Sequence, residues 1–253
     1  MFFDSHAHYN DEAFGEDRDA LLASLPLSGI DYIVNIGDTL KASADSIAIA
    51  EKYPFAYAAV GIHPQSAGEL DDTALGTLER MAAHEKVVAI GEIGLDYYYE
   101  NESRALQKEA FIRQLMLADK VGLPVVIHDR DAHGDTMDIL KTHLKSGGVM
   151  HCFSGSVELA REVLRLGMYI ALGGVVTYKN AVKTVEVAKM VPPDRLLLET
   201  DCPYLSPVPC RGKRNSSLNL FHTAEKIAEI RGTTTEVIAA ETKENAKRLF
   251  NIS

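Results

Sequence analysis

Six residues that bind divalent metals well recur in this chain, each near the trailing end of a short apolar segment. They are His6 and His8 in FFDSHAH, Glu92 in VVAIGEIGLD, His128 in PVVIHDR, His151 in GVMHCFS and Asp201 in RLLLETDCP. Four imidazoles and two carboxylates suffice to hold two metal ions that share a ligand, and such a set points to metal-assisted hydrolysis. His6 and His8 are two residues apart, so in a strand their side chains share a face and can chelate one ion. A carboxylate at Glu92, between apolar neighbours, is costly to bury alone. Metal ions remove that cost, and its two oxygens can bridge a pair of them. Asp201 could ligate a metal and could also take a proton from the attacking water. Singly, each of these residues is ordinary: a buried histidine bonded to a carbonyl, or a salt-bridged glutamate. Their joint placement at the ends of apolar runs carries the inference.

Further candidates stand around the six. Arg130 lies two residues beyond His128 and shares its face. A guanidinium beside metal-binding groups suits a phosphate clamp, and an ion pair with Glu92 or Asp96 is the structural alternative. His63, in GIHP, is a candidate substrate donor or support for the ligands. Arg211 and Arg214, in RGKR just after Asp201, belong to the densest basic cluster and are candidate phosphate contacts, the alternative being a solvated loop. Tyr97–Tyr99 could stack on a base, although packing is their simpler use. By strand alternation Cys152 and Cys202 point away from the neighbouring ligands, toward the helices, as small packing residues.

Elements of regular spacing must position these groups. Strand-like runs are predicted at Phe2–Ala7, Asp31–Gly37, Phe55–Ile62, Val87–Leu95, Pro124–His128, Gly148–Phe153, Tyr169–Val176 and Arg195–Thr200. Helix-like runs are predicted between them at Asp17–Leu25, Leu40–Lys52, Asp72–Ala83, Ser103–Val121, Gly134–Leu144, Val157–Leu166 and Ala181–Met190. Two helical runs, Ser217–Ile230 and Thr235–Phe250, close the chain. Eight strands, each followed by a helix and apolar on both faces, are the pattern of a (β/α)8 barrel. The ends of strands one, four, five, six and eight would then deliver the six ligands to one mouth. The irregular stretch after strand eight lies where such barrels often build phosphate sites.

Composition bounds the reading. At 253 residues the chain fits a single barrel domain over residues 1–253. No apolar run approaches the roughly 20 residues that span a bilayer, and no secretory signal is visible, so no membrane partner is expected. Three cysteines without a CxxC make a disulfide framework improbable and favour a reducing, cytoplasmic setting. A net charge of −10 excludes a broad electrostatic grip on nucleic acid while leaving room for a local one. Nothing calls for an obligate protein partner.

The chain resembles the TatD family of metal-dependent hydrolases, within the amidohydrolase-type TIM barrels. The resemblance is carried by DSHAH at 4–8, GIHP at 61–64, GEIGLDYY at 91–98, IHDRDA at 127–132, HCFSG at 151–155, TDCPYL at 200–205 and RGKRN at 211–215, in that order along the whole chain. It implies that His6, His8, Glu92 and Asp201 bind one metal and that Glu92 bridges to a second held by His128 and His151. It also implies Asp201 as general base. Members are typically deoxyribonucleases acting from the 3′ end of DNA and in some cases RNA. Departures are local: Ser216-Ser217 follows RGKRN where Glu-Pro is expected, and Cys202 stands where alanine is common. The function expected on this basis is phosphodiester hydrolysis of DNA with two divalent ions, Mg2+, Mn2+ or Zn2+. An ester, lactone or amide hydrolase and a non-catalytic metal-binding protein are the alternatives.

Overall fold

The computed structural model of the chain describes residues 1–99 and 101–253. Strand β1 (Phe2–Ala7) is followed by α1 (Arg18–Ser24), β2 (Ile30–Ile36), α2 (Leu40–Lys52), β3 (Ala56–Val60) and α3 (Asp72–Ala82). Then come β4 (Val87–Asp96), α4 (Arg104–Val121), β5 (Val125–Arg130), α5 (His133–His143), β6 (Gly148–Met150) and α6 (Val157–Arg165). The chain ends with β7 (Tyr169–Leu172), α7 (Val182–Met190), β8 (Leu196–Leu198), α8 (Leu220–Arg231) and α9 (Thr235–Phe250). The strands form one sheet in sequence order, every neighbouring pair parallel. Helices start where short polar side chains accept the first free amides: Thr39 from Ala42, Asp71 from Ala74, Ser103 from Leu106 and Thr234 from Val237.

Alternate strand residues divide between two apolar clusters. Phe3, Val34, Ala59, Val88, Val126, Val149, Ala171 and Leu197 share one with Phe250 and Ile252. Ile33, Ala58, Ile90, Val125, Ile170 and Leu196 share the other with the surrounding helices. The first cluster is the barrel interior. Its lower end is plugged from the C-terminus, where Phe250 stacks on Phe3 at 6.0 Å. With that end filled by hydrocarbon, polar groups collect at the opposite end, where the strands finish.

The sheet closes at that same end. Strand β8 is too short to pair with β1 along its length, so the segment after it does the joining. The Asp201 amide donates to the His6 carbonyl at 2.9 Å, and the His8 amide to the Cys202 carbonyl at 2.8 Å. Buried Asp4 reinforces the seam, accepting from the Thr200 amide at 2.9 Å and from the Thr200 and Ser217 hydroxyls at 2.6 Å each.

Four predicted strands are shorter than their apolar runs, β3 ending at Val60 and three later ones stopping well short. β6 stops at Met150, β7 at Leu172 and β8 at Leu198. Beyond them the backbone turns, with φ of 42° at Cys152 and 56° at Asp201. Simple alternation therefore holds for Cys202 and fails for Cys152. Cys202 is buried as expected, but Cys152 is only half-buried, its amide held by Glu199 at 2.6 Å.

Strand β4 carries Glu92 between two close backbone approaches. A Cβ at Gly91 would stand 2.6 Å from the Val126 Cβ, and one at Gly94, where φ is 147°, would run into the His128 carbonyl oxygen. Gly94→Ala is expected to destabilise the fold by about 3 kcal/mol or more, through both strain and loss of β4–β5 pairing. Urea unfolding followed by circular dichroism would show it, and an unchanged midpoint would contradict it.

Candidate active site

The six candidate ligands do converge. Glu92 sits at their centre, 4% exposed. One of its oxygens, Oε2, lies 3.3 Å from His6 Nε2 and 3.9 Å from His8 Nε2. The other, Oε1, lies 2.7 Å from His128 Nδ1 and 3.2 Å from His151 Nε2. Asp201 Oδ1 completes the first group, 3.6 Å from His6 Nε2 and 3.4 Å from His8 Nε2, which are themselves 3.0 Å apart. All of these side chains except the fully buried His6 line a cavity of about 790 Å³ at the strand ends.

These distances test whether the residues fit metal ions. A tetrahedron with donors about 2.0–2.1 Å from its centre has edges of about 3.3–3.4 Å. The five separations among His6, His8, Glu92 and Asp201 run from 3.0 to 3.9 Å, so these four donors surround a space of that size. On the other side Glu92 Oε1 faces His128 Nδ1 at 2.7 Å and His151 Nε2 at 3.2 Å, a second group of donors. Beneath both groups, His6 Nδ1, His151 Nδ1 and Glu199 Oε2 are buried without a hydrogen-bond partner. Unsatisfied buried atoms are rare in native proteins. Here the two nitrogens belong to the His6 and His151 rings, whose opposite nitrogens face the shared carboxylate, and the oxygen belongs to the acid beside His151. The residues fit divalent metal binding.

The electrostatics agree. Burial alone would raise the carboxyl pKa of Glu92, but the charges of His151 and His6 and the His128 hydrogen bond hold it well below the usual range. Burial would lower His128, yet hydrogen bonds to Asp96 and Glu92 outweigh that and keep it at about 9. His63 falls to about 3, first by burial and then by the neighbouring His128. Its Nδ1 accepts the Gln65 amide at 3.2 Å, so the neutral ring carries its proton on Nε2, which points toward Glu92 from 3.8 Å. A ring so arranged is a donor for ligand or carboxylate oxygens.

Two groups of the site escaped the sequence analysis. Asp96, fully buried, places Oδ2 3.1 Å from His128 Nε2. Glu199, also fully buried, places Oε2 3.4 Å from His151 Nδ1 while its Oε1 accepts the Cys152 amide. Carboxylates behind metal-binding imidazoles fix ring orientation and tautomer. A charge ending the otherwise apolar run LLLE, two residues before Asp201, was the available signal for Glu199.

The predicted arginines separate. Arg130 lines the cavity and is exposed. The alternative ion pair with Glu92 or Asp96 does not form. Its guanidinium lies over the Tyr98 ring instead, at 4.0 Å. Arg214 is turned away, bonded to Asp17 at 2.6 and 2.8 Å and packed over Phe14. Arg211 lies over Tyr178 at 4.3 Å. Among the described residues neither Arg211 nor Arg214 lines the cavity. In an acidic chain, surface arginines readily find carboxylate or aromatic partners of their own.

A parallel eight-stranded barrel with a buried histidine–carboxylate cluster at its strand ends is the form of a metal-dependent hydrolase, and comparison with known proteins bears this out. The family model described as TatD related DNase matches residues 3–251, and the chain belongs to that family. It is 46% identical over 255 residues to the uncharacterized metal-dependent hydrolase YabD of Bacillus subtilis (strain 168), covering all of both chains. It is 34% identical to the 3′-5′ ssDNA/RNA exonuclease TatD of Cronobacter sakazakii (strain ATCC BAA-894), covering 98% of this chain and 97% of that one. The crystal structure of the TatD homologue YjjV from Escherichia coli K12 superposes with a TM-score of 0.93 at 34% identity, over 100% of this chain and 98% of that chain. Among the described residues no helix is long and apolar enough to cross a membrane.

Glu199→Gln keeps the side-chain shape but turns an NH2 toward either the Cys152 amide or the His151 ring. Affinity for divalent metal is expected to fall about 10- to 100-fold, measured by competition with a chromophoric chelator. Unchanged affinity in a variant that melts normally would mean that the carboxylate does not hold the ring.

Proposed function

We propose that this hydrolase cleaves phosphodiester bonds at the 3′ end of DNA, with two divalent ions held by His6, His8, Glu92 and Asp201 on one side and by Glu92, His128 and His151 on the other. The carrying observation is the division of Glu92, whose two oxygens face two separate pairs of imidazoles. A closed structural site needs only four ligands and no cavity. Here six converge on an open one, which supports catalysis over a purely structural role.

The chemistry supplied by bound divalent ions is polarisation of a phosphoryl oxygen and a water acidic enough to ionise near neutral pH. Asp201 is the proton acceptor. Burial raises its pKa, but the hydrogen bond to His8 and the charges of His151 and His6 lower it further, so the carboxylate is ionised and ready. Its position is set by the barrel seam through the Asp201 amide. His63 offers an Nε2–H to a substrate oxygen, and Arg130 neutralises charge on the phosphate at the cavity wall. Arg211 and Arg214, outside the cavity and engaged by Tyr178 and Asp17, are given no part in binding. The name of the Cronobacter relative supports a nucleic-acid substrate and a 3′-to-5′ direction. Imidazole-rich ligation favours Zn2+ or Mn2+, while phosphoryl chemistry often uses Mg2+.

One observation favours a second reading, hydrolysis of a small ester or lactone. Among the described residues the cavity is lined by one arginine, Arg130, and by Lys41, which is tied to Asp45 at 2.6 Å. The two readings part on one assay. Metal-stripped protein is given Mg2+, Mn2+ or Zn2+ and offered single-stranded DNA, duplex DNA, a lactone and an aryl ester. DNA turnover is expected, with Glu92→Ala and Asp201→Ala each lowering it by on the order of 10²-fold or more. Turnover of ester or lactone without DNA would establish the second reading, and activity surviving both substitutions would remove the proposed site.

A further inference from the structure

We propose that Tyr98, Arg130 and Tyr99 form a preorganised stacking platform for a nucleobase of single-stranded nucleic acid, on the β4–β5 side of the cavity, which Arg130 and Tyr99 line with Tyr98 against the guanidinium. The proposal rests on the phosphodiesterase reading above and adds to it the group that the site holds beside the scissile phosphate.

The three side chains are already assembled. The Arg130 guanidinium carbon lies 4.0 Å from the Tyr98 ring centroid and 5.3 Å from that of Tyr99. The two rings meet edge to face at 4.8 Å. Most large apolar side chains of the barrel are buried, but Tyr98 is 56% and Tyr99 44% exposed. Tyr97, next to them, does what packing requires: it is half-buried, its hydroxyl donates to Asp135 at 2.6 Å, and Arg104 covers its ring. The pair beyond it has no such use. Tyr99 and Arg130 instead line the cavity floored by His128, Glu92 and His151.

The platform is tied rigidly to the ligands. Asp96 Oδ1 accepts the amides of Tyr98 at 2.9 Å and Tyr99 at 3.2 Å, while Oδ2 faces His128 Nε2 at 3.1 Å and accepts from Gln65 at 3.0 Å. Gln107 clamps the Asp96 backbone from both sides, at 2.9 Å each. Asp96 is the register partner of Arg130, and the Tyr97 amide donates to the Arg130 carbonyl at 2.9 Å. One buried carboxylate thus positions both a candidate metal ligand and the turn that presents the rings. Arg130 stands two residues past His128, about 6.6 Å along the strand, within reach of the nucleotide whose phosphate lies at the ions.

The opposite wall excludes a polyanion. Asp11, Glu12, Asp38 and Asp45 line it on the β1–β2 side. A strand with its phosphates must therefore enter over β4–β5, where Arg130 is the available cation and the tyrosines offer π-faces. Aromatic faces bind any base with little sequence preference, because every base has one.

The test uses the full-length wild-type chain and two short single strands of equal length and charge, one normal and one abasic near its 3′ end. The normal strand is expected to bind roughly 10- to 100-fold more tightly. A 2-aminopurine at the same position should change fluorescence on binding. Tyr98→Ala with Tyr99→Ala should remove the preference for the normal strand, and Tyr98→Phe with Tyr99→Phe should retain it. Equal binding of normal and abasic strands by the wild type overturns the proposal. So does equal loss of affinity for both strands in the alanine variant. Wild-type hydrolysis of methyl p-nitrophenyl phosphate separates the two levels. If it and DNA are hydrolysed while the abasic strand binds equally well, the platform falls and the phosphodiesterase stands. If no phosphodiester is hydrolysed, both fall.

Discussion

A single buried carboxylate organises this molecule. Glu92 is almost fully removed from water, yet each of its oxygens faces imidazole nitrogens, from β1 on one side and from β5 and the end of β6 on the other. An isolated carboxylate in such a place would be protonated or would open the structure. It stays ionised because positive or metal-binding groups are brought to it from around the barrel. That demand explains the local features of β4. Glycines on either side let the strand pass within contact of β5, and the barrel interior below is sealed with hydrocarbon so that the polar end faces the cavity.

A shell of further buried acids holds the ligands in place. Asp4 ties β1 to the segment after β8, Asp96 backs His128, and Glu199 backs His151. None of the three touches the cavity centre. Each is buried and fixes the direction of a neighbouring group. Asp96 in addition joins two neighbouring parts of the cavity wall, since it bonds both His128 and the tyrosine turn.

The charge distribution is uneven around the mouth of the cavity. The net charge of −10 is spread over the surface and along one wall of the mouth, while the floor can hold cations and the other wall carries Arg130. For the phosphodiester substrate proposed above, recognition would depend on a few groups at close range more than on overall charge.

Much was legible in the sequence because the relevant signals are local. Apolar runs of strand length alternating with amphipathic runs determined the order and parallel pairing of the eight strands, and Thr234 marked the start of α9. Donor residues at the ends of those runs determined which side chains meet, since parallel strands in a barrel finish at one rim. What the sequence could not settle depends on distances between segments remote in the chain. Whether Arg214 meets substrate or Asp17 is decided by the placement of α1. Where Cys152 and Asp201 point is decided by backbone turns past short strands, which periodicity does not encode. The supporting roles of Asp96 and Glu199 arise only when β5 and β6 bring histidines to them. The residue types were fixed along the chain, but their partners were chosen by the closure of the barrel, because hydrogen bonds and charge pairing act through space at a few ångströms.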